Sequence, residues 1–222
     1  MSYRCILFYY FRCMYNVPHF KAAGNEEVIA FMQQHPFVIL CAVAADNTPV
    51  ATHIPVLLEQ RDDRIFLRGH VMRKQEHTKA FESNANVLVI FSGAHTYVSA
   101  SWYTNKQTAS TWNYQAVHAK GALHFLDDAG LHDTLTKLTA AFENASSPSL
   151  VENMDAAYIS NMMKAIIAFE IEITEVQHVF KLSQNRDKQS YDTIIEELSK
   201  KDDDSKVIAD TMQQRKQNVF PS

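Results

Sequence analysis

The chain has 222 residues, of which 46% are hydrophobic and 21% charged, and its formal net charge is −4. This content suffices for a packed core, and the length fits one large domain or one domain with an appendage. The slight acidity argues against a general nucleic-acid binder, which would carry clustered basic charge. The five glycines argue against a glycine-rich nucleotide loop. The three cysteines form no CxxC pair, and such usage is typical of a reducing cytoplasm.

The N-terminal residues 1–13 contain an apolar run, 5–11, that is too short to span a bilayer. No small-residue cleavage site of a signal peptide follows it. We therefore interpret residues 1–13 as an extension outside the fold, produced by a translation start assigned too early, with Met14 as the natural start. We expect no membrane association.

The hydrophobic pattern of the remaining chain predicts short strands joined by turns, with helices at a few connections. Strands are predicted at 37–44, 50–58, 65–69, 87–91, 97–102, 112–126, 167–173 and 176–182. Ser92-Gly93 is predicted to break the chain between two of them. Helices are predicted from Asn25 to before Pro36, at 74–83, after a cap at Asp127, at 155–163 and beyond Asp187. The pattern favours an α+β fold built around an antiparallel barrel. We expect one domain at 14–186 and a helical appendage at 187–222.

The segment 64–81 carries a basic cluster in this acidic chain. It holds five cations against one acid, a local charge of +4, and the cations are Arg64, Arg68, Arg73, Lys74 and Lys79. Arg73 and Lys74 are predicted to open a helix, where free N–H groups and cations favour a phosphate. The alternative is a solvated basic helix face.

Three further stretches carry candidate ligand contacts. Pro55 predicts an edge strand at 51–55, whose free backbone groups suit the rim of a heterocycle; the alternative is an ordinary edge strand. Arg186, in the polar run 181–186, suits a bidentate clamp on an anion, although the run also reads as a capping loop before Asp187. The aromatic runs 95–103 and 111–118 hold both tryptophans and indicate either buried strand faces or a stacking site. No histidine spacing indicates a metal site.

Six motifs carry a family resemblance. They are MYNVPHF at 14–20, ATHIPV at 51–56, RGHVMR at 68–73, GAHTYVSASWY at 93–103, TWNYQAVHAKG at 111–121 and KLSQNR at 181–186. In order and spacing the chain resembles, from Met14 to about Lys216, the PaiB family of FMN-binding negative transcriptional regulators of bacteria. The resemblance implies a split β-barrel similar to pyridoxamine-phosphate oxidase, in a cytoplasmic homodimer with FMN at the subunit interface.

The resemblance also implies roles for individual residues. The strand residues Thr52, His53, Ile54 and Pro55 would run along the isoalloxazine ring. The ribityl chain would be lined by Arg68, Gly69 and His70, and the phosphate held by Arg73 and Lys74. The wall of the flavin pocket or of the subunit interface would be formed by Trp102, Trp112 and Asn113. Contacts to the cofactor from the partner subunit would be made by Lys181 and Arg186. The family often has a small residue and then Asn-Pro after the arginine, where this chain has Lys74-Gln75-Glu76. Either Lys74 replaces a lost backbone contact, or Glu76 weakens the site.

Three functions follow as hypotheses. The first is the family's role as a flavin-binding regulator of transcription. No helix-turn-helix is visible, and residues 187–216 hold six Lys/Arg against eight Asp/Glu, whereas a DNA-reading arm should be basic. The second is a flavin-dependent oxidoreductase acting on a small molecule. The third is a haem-binding split barrel.

Overall fold

A computed structural model describes residues 14–15 and 17–221. Its strands are β1 (Phe37–Val43), β2 (Pro49–Pro55), β3 (Leu57–Arg61), β4 (Arg64–Met72), β5 (Asn86–Val98), β6 (Thr111–Phe125) and β7 (Ile166–Lys181). Its α-helices are α1 (Asn25–Gln34), α2 (Glu76–Ser83), α3 (Asp128–Phe142), α4 (Ala156–Met163), α5 (Lys188–Ser199) and α6 (Asp203–Val219). The predicted extension at 1–13 lies outside the described residues.

The strands form one seven-stranded sheet in the order β2-β1-β5-β6-β7-β4-β3. Each pairing with an assigned register is antiparallel: β1 with β2 and with β5, and β4 with β3 and with β7. The fold is therefore the α+β split β-barrel that the sequence predicts. β2 ends the strand order, so the edge strand predicted from Pro55 is confirmed.

The chain divides into two compact units. The first comprises the described residues up to Val28 with Ser92–Val117 and 177–221, and the second comprises Ile29–Phe91 with His118–Val176. Each unit has its own fully buried side chains. They include Phe180, Tyr191 and Met212 in the first unit, and Leu40, Leu67, Phe91 and Phe169 in the second. The helices α5 and α6 belong to the first unit, and the domain boundary that the sequence places at residue 186 stays a prediction.

Turn and capping residues act locally as their chemistry predicts. Asn47 and Asp62 adopt positive φ angles of 67° and 54°, which their short polar side chains tolerate, in the predicted turns at 46–49 and 61–63. Asp127 caps α3 by accepting a hydrogen bond from the Gly130 N–H at 2.8 Å. These elements are confirmed.

Four local predictions were wrong. No break occurs at Ser92-Gly93, because Gly93 keeps an ordinary extended backbone inside β5. The strand predicted at 97–102 ends at Val98, and residues 100–102 form a 3-10 helix that the Ser99 side chain caps. The two strands at 167–173 and 176–182 are one strand, β7. The strand at 50–58 is split into β2 and β3 at Val56, whose N–H bonds to the Pro36 carbonyl at 2.8 Å.

Within residues 14–15 and 17–221, no helix combines the length and apolar character needed to cross a bilayer.

Candidate functional site

Arg73 and Lys74 lie in the turn between β4 and α2, and not in the helix as the sequence predicts. The helix begins only at Glu76, and the Arg73 N–H donates to the Ala165 carbonyl at 2.9 Å. Gln75 occupies the N-cap position, but its side chain makes no capping hydrogen bond. The turn thus places two cations directly before a helix N-terminus that no side chain caps.

Neither cation is strongly neutralised. Arg73 is a little over one-third exposed, and its Nη2 lies 3.6 Å from an oxygen of Asp128, whose side chain is 89% exposed. An ion pair in that much water contributes little. Lys74 is exposed, and Glu76 brings one negative charge into the first turn of α2. Beside Arg73 lies an open cleft of about 790 Å³, which Ile159 and Met163 also line. This end of β4 can therefore accept an anion.

Arg68, by contrast, is engaged by carboxylates. Its Nε donates to Glu170 at 2.7 Å and its Nη1 to Asp133 at 2.8 Å, with a Glu59 oxygen at 3.9 Å. The Arg68 side chain is only 16% exposed. Burial raises the pKa of Glu170, but hydrogen bonds from Arg68 and Arg61 outweigh it and hold that pKa below its usual value. The predicted contact of Arg68 with a ribityl chain stays a prediction, because the structure gives its guanidinium other partners.

The next two residues of β4 shape the strand surface. A Cβ on Gly69 would lie 2.8 Å from the Phe169 ring and 3.0 Å from the Pro55 carbonyl oxygen, so only glycine fits without displacement. Burial lowers the pKa of His70, which favours the neutral form of its ring. Its Nδ1 is buried without a hydrogen-bond partner in the described structure. Gly69 therefore brings β4 against the end of β2, and His70 offers one unused ring nitrogen.

The predicted residues of β2 pair with β1 along one side. Thr52, His53, Ile54 and Pro55 oppose Leu40, Ile39, Val38 and Phe37, respectively. Ile54 is buried, His53 is exposed, and the other two are half-buried. The nine predicted residues from Thr52 to Lys74 all belong to the second unit.

The other five predicted residues belong to the first unit. Trp112 is 52% exposed, and the rings of Tyr97 and His95 lie 6.0 Å from its own. Trp102 lies under the Lys201 ammonium, 4.6 Å from the ring centroid. The interpretation of the aromatic runs as buried strand faces is therefore wrong for Tyr97 on β5 and Trp112 on β6, because both side chains are exposed to solvent.

Asn113 is fully buried. It accepts a hydrogen bond from the Ser183 hydroxyl at 3.0 Å and donates one to the Met212 sulfur at 3.4 Å. These contacts give the Asn113 side chain a packing role, and its predicted contact with a ligand stays a prediction. Lys181 donates to the Thr111 hydroxyl, and the Arg186 guanidinium stacks 4.1 Å above the Tyr103 ring.

Sequence reasoning missed the half-buried cluster around His178. The His178 Nε2 accepts the Ala22 N–H at 3.0 Å, and the Lys21 ammonium donates to the His178 carbonyl at 3.1 Å. Arg215 donates to Glu27 and to the Lys21 carbonyl. Burial, with the charges of Lys21 and Arg215, lowers the pKa of His178 to about 4. No local pattern indicates this cluster, because Lys21 and Ala22 lie more than 150 residues before His178.

Comparison with known proteins identifies the family. A family model described as "Putative FMN-binding domain" matches residues 14–175. The protease synthase and sporulation protein PAI 2 of Bacillus subtilis (strain 168) is 32% identical over 204 residues, which cover 91% of this chain and 98% of that protein. An uncharacterized protein of Emericella nidulans is 28% identical over 243 residues, covering 89% of this chain and 97% of its own.

Solved structures show the same fold at low identity. The FAD and heme binding protein from Mycobacterium smegmatis aligns with a TM-score of 0.54 and 17% identity over 72% of each chain. A flavocytochrome from Azotobacter vinelandii aligns with a TM-score of 0.53 and 16% identity, over 72% of this chain and 68% of its own. These two likenesses concern the fold alone. The family match and the similarity to PAI 2 show that the chain belongs to the family of FMN-binding domains, that it is a flavin-binding protein of the PaiB type, and that its cofactor is FMN.

Proposed function

We propose that Arg73, Lys74 and the first turn of α2 anchor the phosphate of FMN. The observation that carries this proposal is the position of two weakly neutralised cations directly before an N-terminus without a side-chain cap. The N–H groups of a first helical turn point along the axis toward an anion, and the helix dipole favours negative charge there. Glu76 lowers the affinity of this anchor, and Lys74 offsets that charge.

The neighbouring residues suit the remainder of the cofactor. The buried Nδ1 of His70 has no hydrogen-bond partner, and a ribityl hydroxyl would supply one as donor or acceptor, according to the tautomer of the ring. The residues Thr52 to Pro55 lie on an edge strand, whose outer backbone groups are free to bond the polar rim of the ring system. FMN supplies electron-transfer capacity when bound, and the chain's residues bind and orient it.

We propose further that the protein is a cytoplasmic homodimer. The exposed ring of Trp112, with that of Tyr97 beside it, offers an apolar surface on β5 and β6 for the partner subunit. Sedimentation across a dilution series tests this. A dimer is expected, and a Trp112→Glu variant should be monomeric.

The biological role that we propose is negative regulation of transcription, exercised through a partner and not by direct reading of DNA. The helices α5 and α6 carry the acidic excess of residues 187–216, which opposes contact with phosphate backbones. We expect the levels of some transcripts to rise when the protein is removed from cells. We also expect that the FMN-loaded protein causes no gel shift of duplex DNA. Unchanged transcripts with turnover of a reductant would instead support an oxidoreductase.

Quenching of flavin fluorescence tests the phosphate anchor. We expect the unmodified protein to bind FMN with micromolar or tighter affinity, and an Arg73→Ala/Lys74→Ala variant to lose at least about tenfold, since charge-assisted hydrogen bonds to phosphate are lost. A matched Lys200→Ala/Lys206→Ala variant also removes two charges, at exposed positions in the first unit, and should bind like the unmodified protein. An unchanged affinity of the Arg73/Lys74 variant would place the anchor elsewhere.

A further inference from the structure

Arg186 differs from the other arginines in its charge partners. Across residues 14–15 and 17–221, it is the one arginine with no carboxylate oxygen within 4.0 Å. The other arginines of that range form ion pairs, namely Arg61, Arg64, Arg68, Arg73 and Arg215. A half-buried guanidinium without a counter-charge is costly, since it has lost part of its hydration.

The surroundings of Arg186 leave polar atoms unused. Its guanidinium carbon lies 4.1 Å above the Tyr103 ring, and its Nε is buried without a hydrogen-bond partner. The Tyr103 hydroxyl is likewise buried without a partner, and the Tyr103 residue is only 2% exposed. Buried donors in a folded protein are nearly always satisfied, so two orphaned groups in one cluster indicate a missing acceptor.

The nearest acid in the chain does not supply that acceptor. The Asp187 carboxylate accepts the N–H and hydroxyl of Ser190 at 2.9 and 2.6 Å and the Thr104 hydroxyl at 2.9 Å. These hydrogen bonds lower the pKa of Asp187 to about 2. Asp187 is thus committed to capping α5, and Arg186 is left unpaired.

Lys181, the last residue of β7, is a second cation at the start of the loop that holds Arg186. Its ammonium donates to the Thr111 hydroxyl and lies 5.9 Å from the centre of the Phe20 ring. Burial, followed by the positive charge of Arg186, lowers the pKa of Lys181. Two cations that repel each other without a nearby carboxylate create a positive field, which a bound anion would relieve.

The loop after Lys181, which carries Arg186, is held by hydrogen bonds. Ser183 adopts a positive φ of 62°, and its hydroxyl donates to Asn113. The Gln184 amide oxygen accepts the Leu182 N–H at 2.7 Å, and the Arg186 N–H donates to the Ser183 carbonyl at 3.0 Å. A loop fixed in this way loses little entropy when a ligand binds.

We propose that Lys181 and Arg186 form an oxyanion site for the carboxylate or phosphate of a second ligand, different from FMN. The planar guanidinium grips two oxygens of such a group, and the Lys181 ammonium adds a point charge. The site uses residues different from those of the proposed phosphate anchor: Lys181 and Arg186 belong to the first unit, and Arg73 and Lys74 belong to the second. It also reassigns two residues for which the family resemblance implies a cofactor contact from the partner subunit.

Calorimetric titration of FMN-saturated protein tests this proposal. Inorganic phosphate and acetate are titrated separately at constant ionic strength, so that the phosphate anchor of FMN is already filled. We expect saturable binding of at least one of the two anions, and the tighter one identifies the headgroup. Binding should weaken at least about tenfold in Arg186→Leu and in Lys181→Met, since each removes one charge-assisted contact. The Lys188→Ala variant removes one charge from a neighbouring exposed position and should bind normally.

Two further readouts keep the result decisive. Arg186→Lys keeps the charge but not the fork, so it should fold normally, as judged by circular dichroism, and still bind the anion more weakly. FMN affinity should be unchanged in all of these variants. The proposal would be overturned if the unmodified protein showed no saturable anion binding. It would also be overturned if the Arg186 and Lys181 variants bound the anion as tightly as the unmodified protein does, or if they lost FMN affinity in parallel with anion affinity. If the unmodified protein binds no FMN, the anion titration is made on the Arg73→Ala/Lys74→Ala variant, so the two failures remain distinguishable.

Discussion

Replacing Arg68 by methionine separates a structural from a cofactor role for this residue. Methionine keeps the aliphatic length and removes the two hydrogen bonds to carboxylates. The bond to Glu170 is the costly one, because the Glu170 side chain is 18% exposed, while Asp133 is nearly half exposed and can rehydrate. Glu170 keeps Arg61, whose Nη2 lies 2.5 Å away. A hydrogen bond to a charged group, such as the one to Glu170, contributes about 1.5–3 kcal/mol, and an exposed pair, such as the one with Asp133, contributes under about 1 kcal/mol. We therefore expect the free energy of unfolding to fall by about 2–3 kcal/mol.

Urea denaturation at pH 7 measures this loss, and a double-mutant cycle with Glu170→Gln isolates the pair. We expect a coupling energy of about 1–2 kcal/mol, because the two side chains share a nearly buried hydrogen bond. Arg64→Met is the matched control: its pair with Glu172 is largely exposed and should contribute less than about 0.5 kcal/mol. A coupling near zero, together with a tenfold weaker FMN affinity of Arg68→Met, would refute the structural role.

Three more substitutions test local features of the fold. Gly121→Ala should lower the free energy of unfolding by at least about 3 kcal/mol in urea, because its Cβ would lie 2.2 Å from the Glu172 carbonyl oxygen. Asn113→Ala should cost about 1–3 kcal/mol by the same measurement, since the Ser183 hydroxyl loses its buried acceptor, while FMN affinity stays unchanged. The folded-state pKa of His178 lies near 4, below its usual 6.5, so its neutral form contributes stability that is complete above pH 6.5 and is lost as pH falls toward 4. The urea midpoint should therefore fall less between pH 7 and pH 5 in His178→Gln than in the unmodified protein.

Much of the fold could be predicted because its signals are local. Turn residues with short polar side chains, such as Asn47 and Asp62, encode their own backbone conformation. Asp127 caps α3 through a bond that spans three residues. Breaks were harder to predict, because glycine permits a turn without requiring one, and β5 continues through Gly93 as an extended strand.

The candidate site was less predictable from sequence. The basic cluster at 64–81 is visible as composition, but the partners of Arg68 are Asp133 and Glu170, which lie 65 and 102 residues away. Composition therefore could not distinguish Arg68, which is paired, from Arg73, which is weakly paired. Nor could the motif around Asn113 show that its amide faces inward to Ser183 and Met212, because burial is a property of the assembled fold.

Comparing FMN with riboflavin tests the central claim most directly, because the two ligands differ only in the phosphate. Dissociation constants of both are measured by fluorescence quenching for the unmodified protein and for Arg73→Ala/Lys74→Ala. The account predicts that the unmodified protein prefers FMN by at least about tenfold. The variant should lose most of that preference and keep its affinity for riboflavin, since only the two side-chain contacts to the phosphate are removed. An equal preference for FMN in the two proteins would contradict a phosphate anchor at Arg73 and Lys74.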